Sequence, residues 1–181
     1  MTKGQVLFIQ GAGGEAFQED GAMVRSLREV LGPDFVVEYP EIPDADMPEF
    51  GTWSDRISHE LSALDDGVIL VGHSFGGSML LKHLSEKRVD KSIAGLFLIA
   101  TPYWGTADWE VDYKLREDFP EALPKDMPIF LYHSRDDEVV PFAHLAIYAG
   151  RLSRVTVREF DGRGHQFGDD LSEVAEDIAR L

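Results

Sequence analysis

A serine at position 74 lies at the centre of the stretch "VILVGHSFGG", residues 68–77. A continuous apolar run precedes it, and "GGSMLLKHLSE", which repeats apolar residues at helical spacing, follows it. The pattern Gly-x-Ser-x-Gly between a strand and a helix is typical of a nucleophilic serine on a strained turn, where Gly72 and Gly76 leave room for the backbone. Because the pattern is short and the chain has 17 glycines, a tight turn with a helix-capping serine is the alternative.

A serine hydroxyl needs a base, usually a histidine held by a carboxylate, to act as a nucleophile at neutral pH. Two later segments each follow an apolar run: "SRDDEVVP" contains Asp136 and Asp137, and "DGRGHQF" contains His165. Their order along the chain and their places at strand ends predict a triad of Ser74, Asp137 and His165. Asp136 is the alternative acid, and is otherwise a turn residue that caps local amides. The remaining histidines are expected to be packing or surface residues: His59, His73, His83, His133 and His144.

A glycine-rich loop, Gly11-Ala12-Gly13-Gly14, follows the first apolar run. Acyl transfer needs backbone N–H groups that bind the oxyanion, and we expect them from Phe75, directly after the nucleophile, and from Ala12. The spacing Gly11-x-Gly13-x-x-Ala16, with Glu38 as a ribose ligand, also matches a dinucleotide fingerprint. The segment after the glycines contains Gly21 and is not expected to begin a helix at once. Dinucleotide binding would also leave the serine, aspartate and histidine motifs unexplained, so no cofactor and no metal are expected.

Strand-like and helix-like segments alternate along the chain between these motifs. Strands are predicted at 6–10, 35–39, 68–72, 93–100, 129–133 and 155–160, and helices at about 20–31, 52–65, 75–87, 142–151 and 171–181. Several strand candidates are continuously apolar, as in parallel strands that are buried on both faces. The pattern predicts an α/β fold, a three-layer sandwich with about six mostly parallel strands and helices on both faces. The chain, 1–181, is expected to be a single domain without a separate cap domain.

Two connections are long enough to bear on the site. The stretch "PEIPDADMPEF", 40–50, carries three prolines and four acidic residues, which favour an extended loop. An excursion over 101–128 is rich in aromatic residues, and long connections are often functional. We expect a shallow, open site that is partly roofed by 101–118 and the proline loop. Possible walls, which could equally be core, are Phe17, Trp104, Trp109 and Phe167.

Composition limits the classes of partner. The chain has 181 residues and a formal net charge of −16, which disfavours nucleic acid and anionic membranes as partners. Cysteine is absent, which excludes disulfides and thiolate sites. No apolar stretch is long enough for a membrane span, and the first residues do not resemble a secretory signal. A cytoplasmic protein with a small-molecule substrate is expected, of an oligomeric state that the sequence leaves open.

Together these motifs resemble those of the α/β-hydrolase superfamily. "GHSFGG" resembles its nucleophile elbow, "GRGHQF" its histidine loop, and "HSRDDEVVP" its acid loop, His-Gly-x-x-Asp-x-x-Val-Pro, which selects Asp137. Ser134 stands in place of the glycine of that acid loop. Gln10 replaces the histidine usual in the first loop.

The length and layout are similar to those of the small single-domain serine hydrolases of the retinoblastoma-binding type. The resemblance implies a carboxylesterase-like activity on small acyl esters, through a Ser-His-Asp triad, an oxyanion hole and an acyl-enzyme. An amidase or thioesterase on the same triad, or a non-catalytic protein-binding module, are the alternatives.

Overall fold

Within the residues described by the computed structural model, 4–106, 109 and 112–181, six strands form one sheet in which every paired strand is parallel. The spatial order is β2-β1-β3-β4-β5-β6. The strands are β1 (Gly4–Ile9), β2 (Phe35–Glu38), β3 (Val68–His73), β4 (Ile93–Ile99), β5 (Ile129–Ser134) and β6 (Val155–Phe160). The helices are α1 (Ala16–Leu31), α2 (Phe50–Ser62), α3 (Phe75–Glu86), α4 (Phe119–Ala122), α5 (Ala143–Arg151) and α6 (Ser172–Ile178).

The helices cover both faces of the sheet. On one face, α1 and α6 pack apolar residues such as Leu27 and Val174 against alternate strand residues such as Val6. On the other face, α2, α3 and α5 pack residues such as Met79 against Leu70. Central strands between two such layers are buried on both sides, which explains their continuous apolar runs. The predicted three-layer α/β fold is confirmed, while the single domain over 1–181 stays a prediction.

Strand register places the site. Ile9 pairs with Gly72, Gly72 with Leu98, and Ser134 with Phe160, so the carboxyl ends of the strands lie at one edge of the sheet. The chain order also reverses beside β1, whose neighbours are β2 and β3, and such a switch point opens a crevice at that edge. The loops after β1, β3, β5 and β6 therefore meet there.

Helix α1 begins earlier than the predicted start near residue 20. The Ala16 N–H donates to the Gly13 carbonyl at 3.1 Å, and the helix continues through Gly21, whose added Cβ would meet nothing within 4 Å. A glycine within a helix costs only about 1 kcal/mol relative to alanine, which the packing of α1 offsets. The expectation that no helix begins at once after the glycines was wrong, and Asp20, at the predicted start, lies buried inside the longer helix.

The aromatic excursion after β4 packs on the start of α3. The ring of Phe75 lies 5.7 Å from that of Trp104 and 4.8 Å from that of Tyr113. The Tyr113 hydroxyl donates to the Pro48 carbonyl at 2.6 Å, which ties the excursion to the proline loop. Parts of the predicted roof, residues 107, 108, 110 and 111, lie outside the described residues. None of the described helices is long and apolar enough to cross a membrane.

Candidate active site

Ser74 lies at the turn between β3 and α3 with a backbone that few residues adopt, φ 51° and ψ −124°. A Cβ added at Gly72 would lie 2.6 Å from the Gly77 Cα, and one at Gly76 only 2.2 Å from the Gln10 carbonyl oxygen. The turn therefore requires glycine at both flanking positions, as the sequence pattern predicted. Gly77 is also constrained, since its Cβ would lie 2.2 Å from the Thr101 hydroxyl, a contact that no local sequence pattern indicates.

Asp137 and His165, from the loops after β5 and β6, are in direct contact. The His165 Nδ1 lies 2.9 Å from Asp137 Oδ2, and the carboxylate side chain is fully buried. Asp137 Oδ1 also accepts the backbone N–H groups of Val139 and Val140, both at 2.8 Å. If the Nδ1 proton is donated to the carboxylate, the His165 Nε2 is left as an acceptor, which is the arrangement that a general base requires.

Hydrogen bonds keep Asp137 ionised. Burial raises the pKa of Asp137, but the hydrogen bonds from His133, His165 and the Val140 amide together lower it by more. The pKa of Asp137 therefore lies well below its ordinary value. The His133 Nε2 lies 3.1 Å from the same carboxylate. His133, which was expected to be a packing or surface residue, thus holds the orienting acid.

Asp136 lies apart from the His165 ring and fastens the loop that carries it. Its Oδ1 accepts the Ser134 hydroxyl at 2.5 Å and the Gly164 N–H at 3.2 Å. The Ser134 bond, followed by the Gly164 bond, lowers the pKa of Asp136. Ser134, which replaces the glycine of the family loop, also accepts the Arg163 N–H at 3.1 Å. These contacts match the alternative predicted for Asp136, a residue that caps local amides.

Ser74 and His165 line one cavity of about 370 Å³. Ala12 lies on its wall, and its N–H makes no hydrogen bond to any described residue. The Phe75 N–H belongs to the first turn of α3, where no acceptor is available within the helix. The two predicted oxyanion donors therefore make no hydrogen bond within the described residues, and of the two only Ala12 lines the cavity. Three carboxylates also line the cavity: Glu19, Asp20 and Glu138.

The aromatic walls considered from the sequence do not line this cavity. Phe17 lies on a neighbouring cavity, Phe167 is buried in the layer of α1 and α6, and the rings of Trp104 and Trp109 pack on each other. No described residue of the proline loop or of the excursion lines the cavity either. Among the residues that the structure describes, no cluster of three His, Cys, Asp or Glu side chains is arranged to hold a metal ion.

Two further site residues were missed from the sequence, Asp20 and His73. The His73 Nδ1 lies 2.9 Å from Asp20 Oδ1, and both side chains are buried. His73 adjoins the nucleophile, which was a usable signal, but its contact with Asp20 spans 53 positions of the chain and no local pattern indicates it. Gln10, in place of the usual histidine, accepts the Ile42 N–H at 2.9 Å and so anchors the proline loop.

Solved structures share this fold. The esterase domain of a Rhodothermus marinus protein has a TM-score of 0.70 at 17% identity, over 98% of this chain and 84% of that one. Est1E of Butyrivibrio proteoclasticus with bound ferulic acid has a TM-score of 0.73 at 16% identity, over 99% and 88%. The ydeN product of B. subtilis has a TM-score of 0.69 at 17% identity, over 98% of each.

A search of curated proteins found no match. One family model, described as serine hydrolase, matches residues 31–168, which is more than half of the chain and includes Ser74, Asp137 and His165. The retinoblastoma-binding subtype stays a prediction. The chain belongs to the serine hydrolase family, on an α/β-hydrolase fold.

Proposed function

We propose that this protein hydrolyses small acyl esters through an acyl-enzyme on Ser74, with His165 as the base and Asp137 as the orienting acid. One observation carries the proposal: a buried, ionised carboxylate holds the Nδ1 of a histidine that shares a cavity with a serine on a strained turn. This is the constellation that activates a serine hydroxyl. The family match and the esterase folds support the same class of reaction.

In the first half-reaction, the Ser74 Oγ attacks the acyl carbonyl carbon while its proton passes to the His165 Nε2. The carbonyl π electrons move to oxygen, and the N–H groups of Ala12 and Phe75 bind the oxyanion. The bond to the leaving alcohol then breaks, and the alcohol takes the proton from His165. Asp137 stabilises the imidazolium that exists between these transfers.

In the second half-reaction, water attacks the acyl-enzyme and gives its proton to His165. The Ser74 Oγ leaves the carbon and recovers that proton, which frees the acid. Ser74 and His165 thus recover their starting protonation states: the original serine proton leaves with the alcohol, and a proton from water replaces it. The cavity of about 370 Å³ is suited to a small substrate, since drug-sized ligands occupy about 300–1,000 Å³.

The test is labelling with a fluorophosphonate, read by the mass of the modified peptide, together with turnover of p-nitrophenyl acetate. We expect wild type to be labelled at Ser74, and kcat to fall on the order of 10⁴-fold in Ser74→Ala, His165→Ala and Asp137→Asn. Asp136→Asn is the matched control for the acid, and a loss in this variant alone would reverse the assignment. Folded wild type that is not labelled at Ser74 would refute the nucleophile.

The substrate class is tested by comparing kcat/KM for an ester, a thioester and an anilide that carry the same acyl group. The proposal expects the ester to give the highest kcat/KM. A higher value for the thioester or anilide would keep the triad and change the class to thioesterase or amidase. A labelled but inert protein that binds a partner tightly would instead favour the binding module.

A further inference from the structure

A buried chain of hydrogen bonds connects the three loops of the candidate active site. Asp20 Oδ2 accepts the Gly11 N–H at 2.9 Å, and the His73 Nδ1 lies 3.0 Å from the same oxygen. The His73 Nε2 lies 2.9 Å from the His165 carbonyl oxygen. Asp20 and His73 are 0% and 1% exposed, so water does not compete for these bonds. The chain joins residues beyond the ends of β1, β3 and β6.

The hydrogen-bond partners determine the protonation of this pair. The Nε2 of His73 faces a carbonyl, which only accepts, so this nitrogen carries a proton. The Nδ1 shares a second proton with Asp20, whose carboxyl group also accepts from Gly11. Burial alone would lower the pKa of His73 and raise that of Asp20, but their mutual attraction moves each in the opposite direction. His73 is therefore an imidazolium beside a carboxylate.

We propose that Asp20 and His73 are positioning residues for the ester hydrolysis, holding the oxyanion loop, the nucleophile turn and the histidine loop in one arrangement. This inference rests on the proposed function. Each bond of the chain ends next to or on a reacting residue: Gly11 precedes Ala12, His73 precedes Ser74, and the accepting carbonyl belongs to His165. A shift of any one loop would misalign the reacting atoms.

The histidine loop needs such a constraint. His165 follows Gly164 at φ 59° and lies near Gly162 at φ 72°, and glycines leave a backbone many conformations. The Asp137 bond fixes the ring at Nδ1, while the His73 bond fixes the main chain of the same residue. A buried ion pair adds little net stability compared with apolar residues, so stability alone does not account for the pair at this place.

The test compares Asp20→Asn and His73→Gln with a matched control, a buried pair in the helix layer on the other face of the sheet. Ser54 and His83 also form a buried pair, with Ser54 Oγ 2.8 Å from the His83 Nδ1, and neither lines the cavity of Ser74. Ser54→Ala and His83→Gln therefore disturb a buried histidine without touching the site. All four variants are assayed with p-nitrophenyl acetate at temperatures where circular dichroism shows each to be folded.

We expect kcat to fall roughly 10- to 100-fold in Asp20→Asn and His73→Gln with KM nearly unchanged, because misplaced reacting groups slow the chemical step. The double variant should lose no more than the worse single variant, because both changes break the same chain. The control variants should keep wild-type kcat. Folded Asp20→Asn and His73→Gln variants with wild-type kcat, or a loss matched by the controls, would overturn the positioning role.

Nuclear magnetic resonance tests this chain of hydrogen bonds without a measurement of turnover. In ¹⁵N-histidine-labelled protein, His73 should have both ring nitrogens protonated, and Asp20→Asn should shift the amide resonances of Ala12, Phe75 and His165 while Ser54→Ala leaves them in place. Unshifted resonances at these three residues would refute the inference. Wild type that is inactive and not labelled at Ser74 would refute the proposed function, and the resonances would then decide the positioning role by themselves.

Discussion

Gly76→Ala is expected to damage stability and activity together. A Cβ at this position would lie 2.2 Å from the Gln10 carbonyl oxygen and 2.4 Å from that of Ile9. Both are backbone atoms at the end of β1, so neither can rotate away, and α3 must move away from the sheet. Overpacking of this kind costs about 3 kcal/mol. For a chain of this size, such a loss lowers the melting temperature by about 6–12 °C.

The same displacement moves the Phe75 amide away from the Ala12 loop, which directly follows Gln10 and Gly11. Because the proposed mechanism requires these two amides to bind one oxygen atom, we expect kcat to fall roughly 10- to 100-fold even where the variant is folded. Thermal unfolding followed by circular dichroism and turnover of p-nitrophenyl acetate measure the two effects.

Gly21→Ala is the matched control. Gly21 lies within α1, and an added Cβ would meet nothing within 4 Å. The substitution should raise the free energy of unfolding by about 0.5–1 kcal/mol, because alanine has fewer unfolded conformations than glycine, and it should leave kcat unchanged. A Gly76→Ala variant whose melting temperature equals that of wild type or of Gly21→Ala would refute the steric argument.

Two further predictions concern buried polar groups away from the site. Burial, with the charge of Lys87, lowers the pKa of His83 from 6.5 to about 4. As the pH falls, the unfolded chain therefore binds a proton at this histidine before the folded chain does, and the protein loses stability below about pH 6.5. The stability advantage of wild type over His83→Gln should therefore shrink by about 1–1.5 kcal/mol between about pH 7.5 and about pH 5.5, as measured by urea unfolding, and a constant difference would contradict the assignment. Asp177→Ala removes the acceptor of the buried Tyr132 hydroxyl, at 2.8 Å, and the partner of Arg158. It should cost about 1–3 kcal/mol by the same measurement with kcat unchanged, and an equal loss of kcat would show that this pair serves the site.

The sequence predicted the sheet because its central strands are buried on both faces and therefore read as continuous apolar runs. It also predicted the strand-end positions of Ser74, Asp137 and His165, since each follows such a run within a motif of fixed spacing. The start of α1 was wrong because Gly21 suggested a break in the helix. Local patterns measure propensity, and the packing of α1 on the sheet overrides a single glycine.

The contacts that fasten the site loops could not be predicted in this way. His73 contacts Asp20, which is 53 positions away in the sequence, and the His165 carbonyl, which is 92 positions away. Asp136 and Ser134 fasten the histidine loop from almost 30 positions away. Such contacts depend on the register of strands and on helix bounds to within one turn, and a pattern in one short stretch contains neither.

His73 and His83 show why residue type and burial alone do not reveal a role. Both are 1% exposed, and both were expected to be packing or surface residues. The pKa of His83 falls because burial is joined by the charge of Lys87, and its partner is the hydroxyl of Ser54. The pKa of His73 rises because a buried carboxylate lies beside it and outweighs the same effect of burial. The partner therefore decides whether a buried histidine is neutral or charged, and only the charged one can donate from both nitrogens and connect two loops of the site.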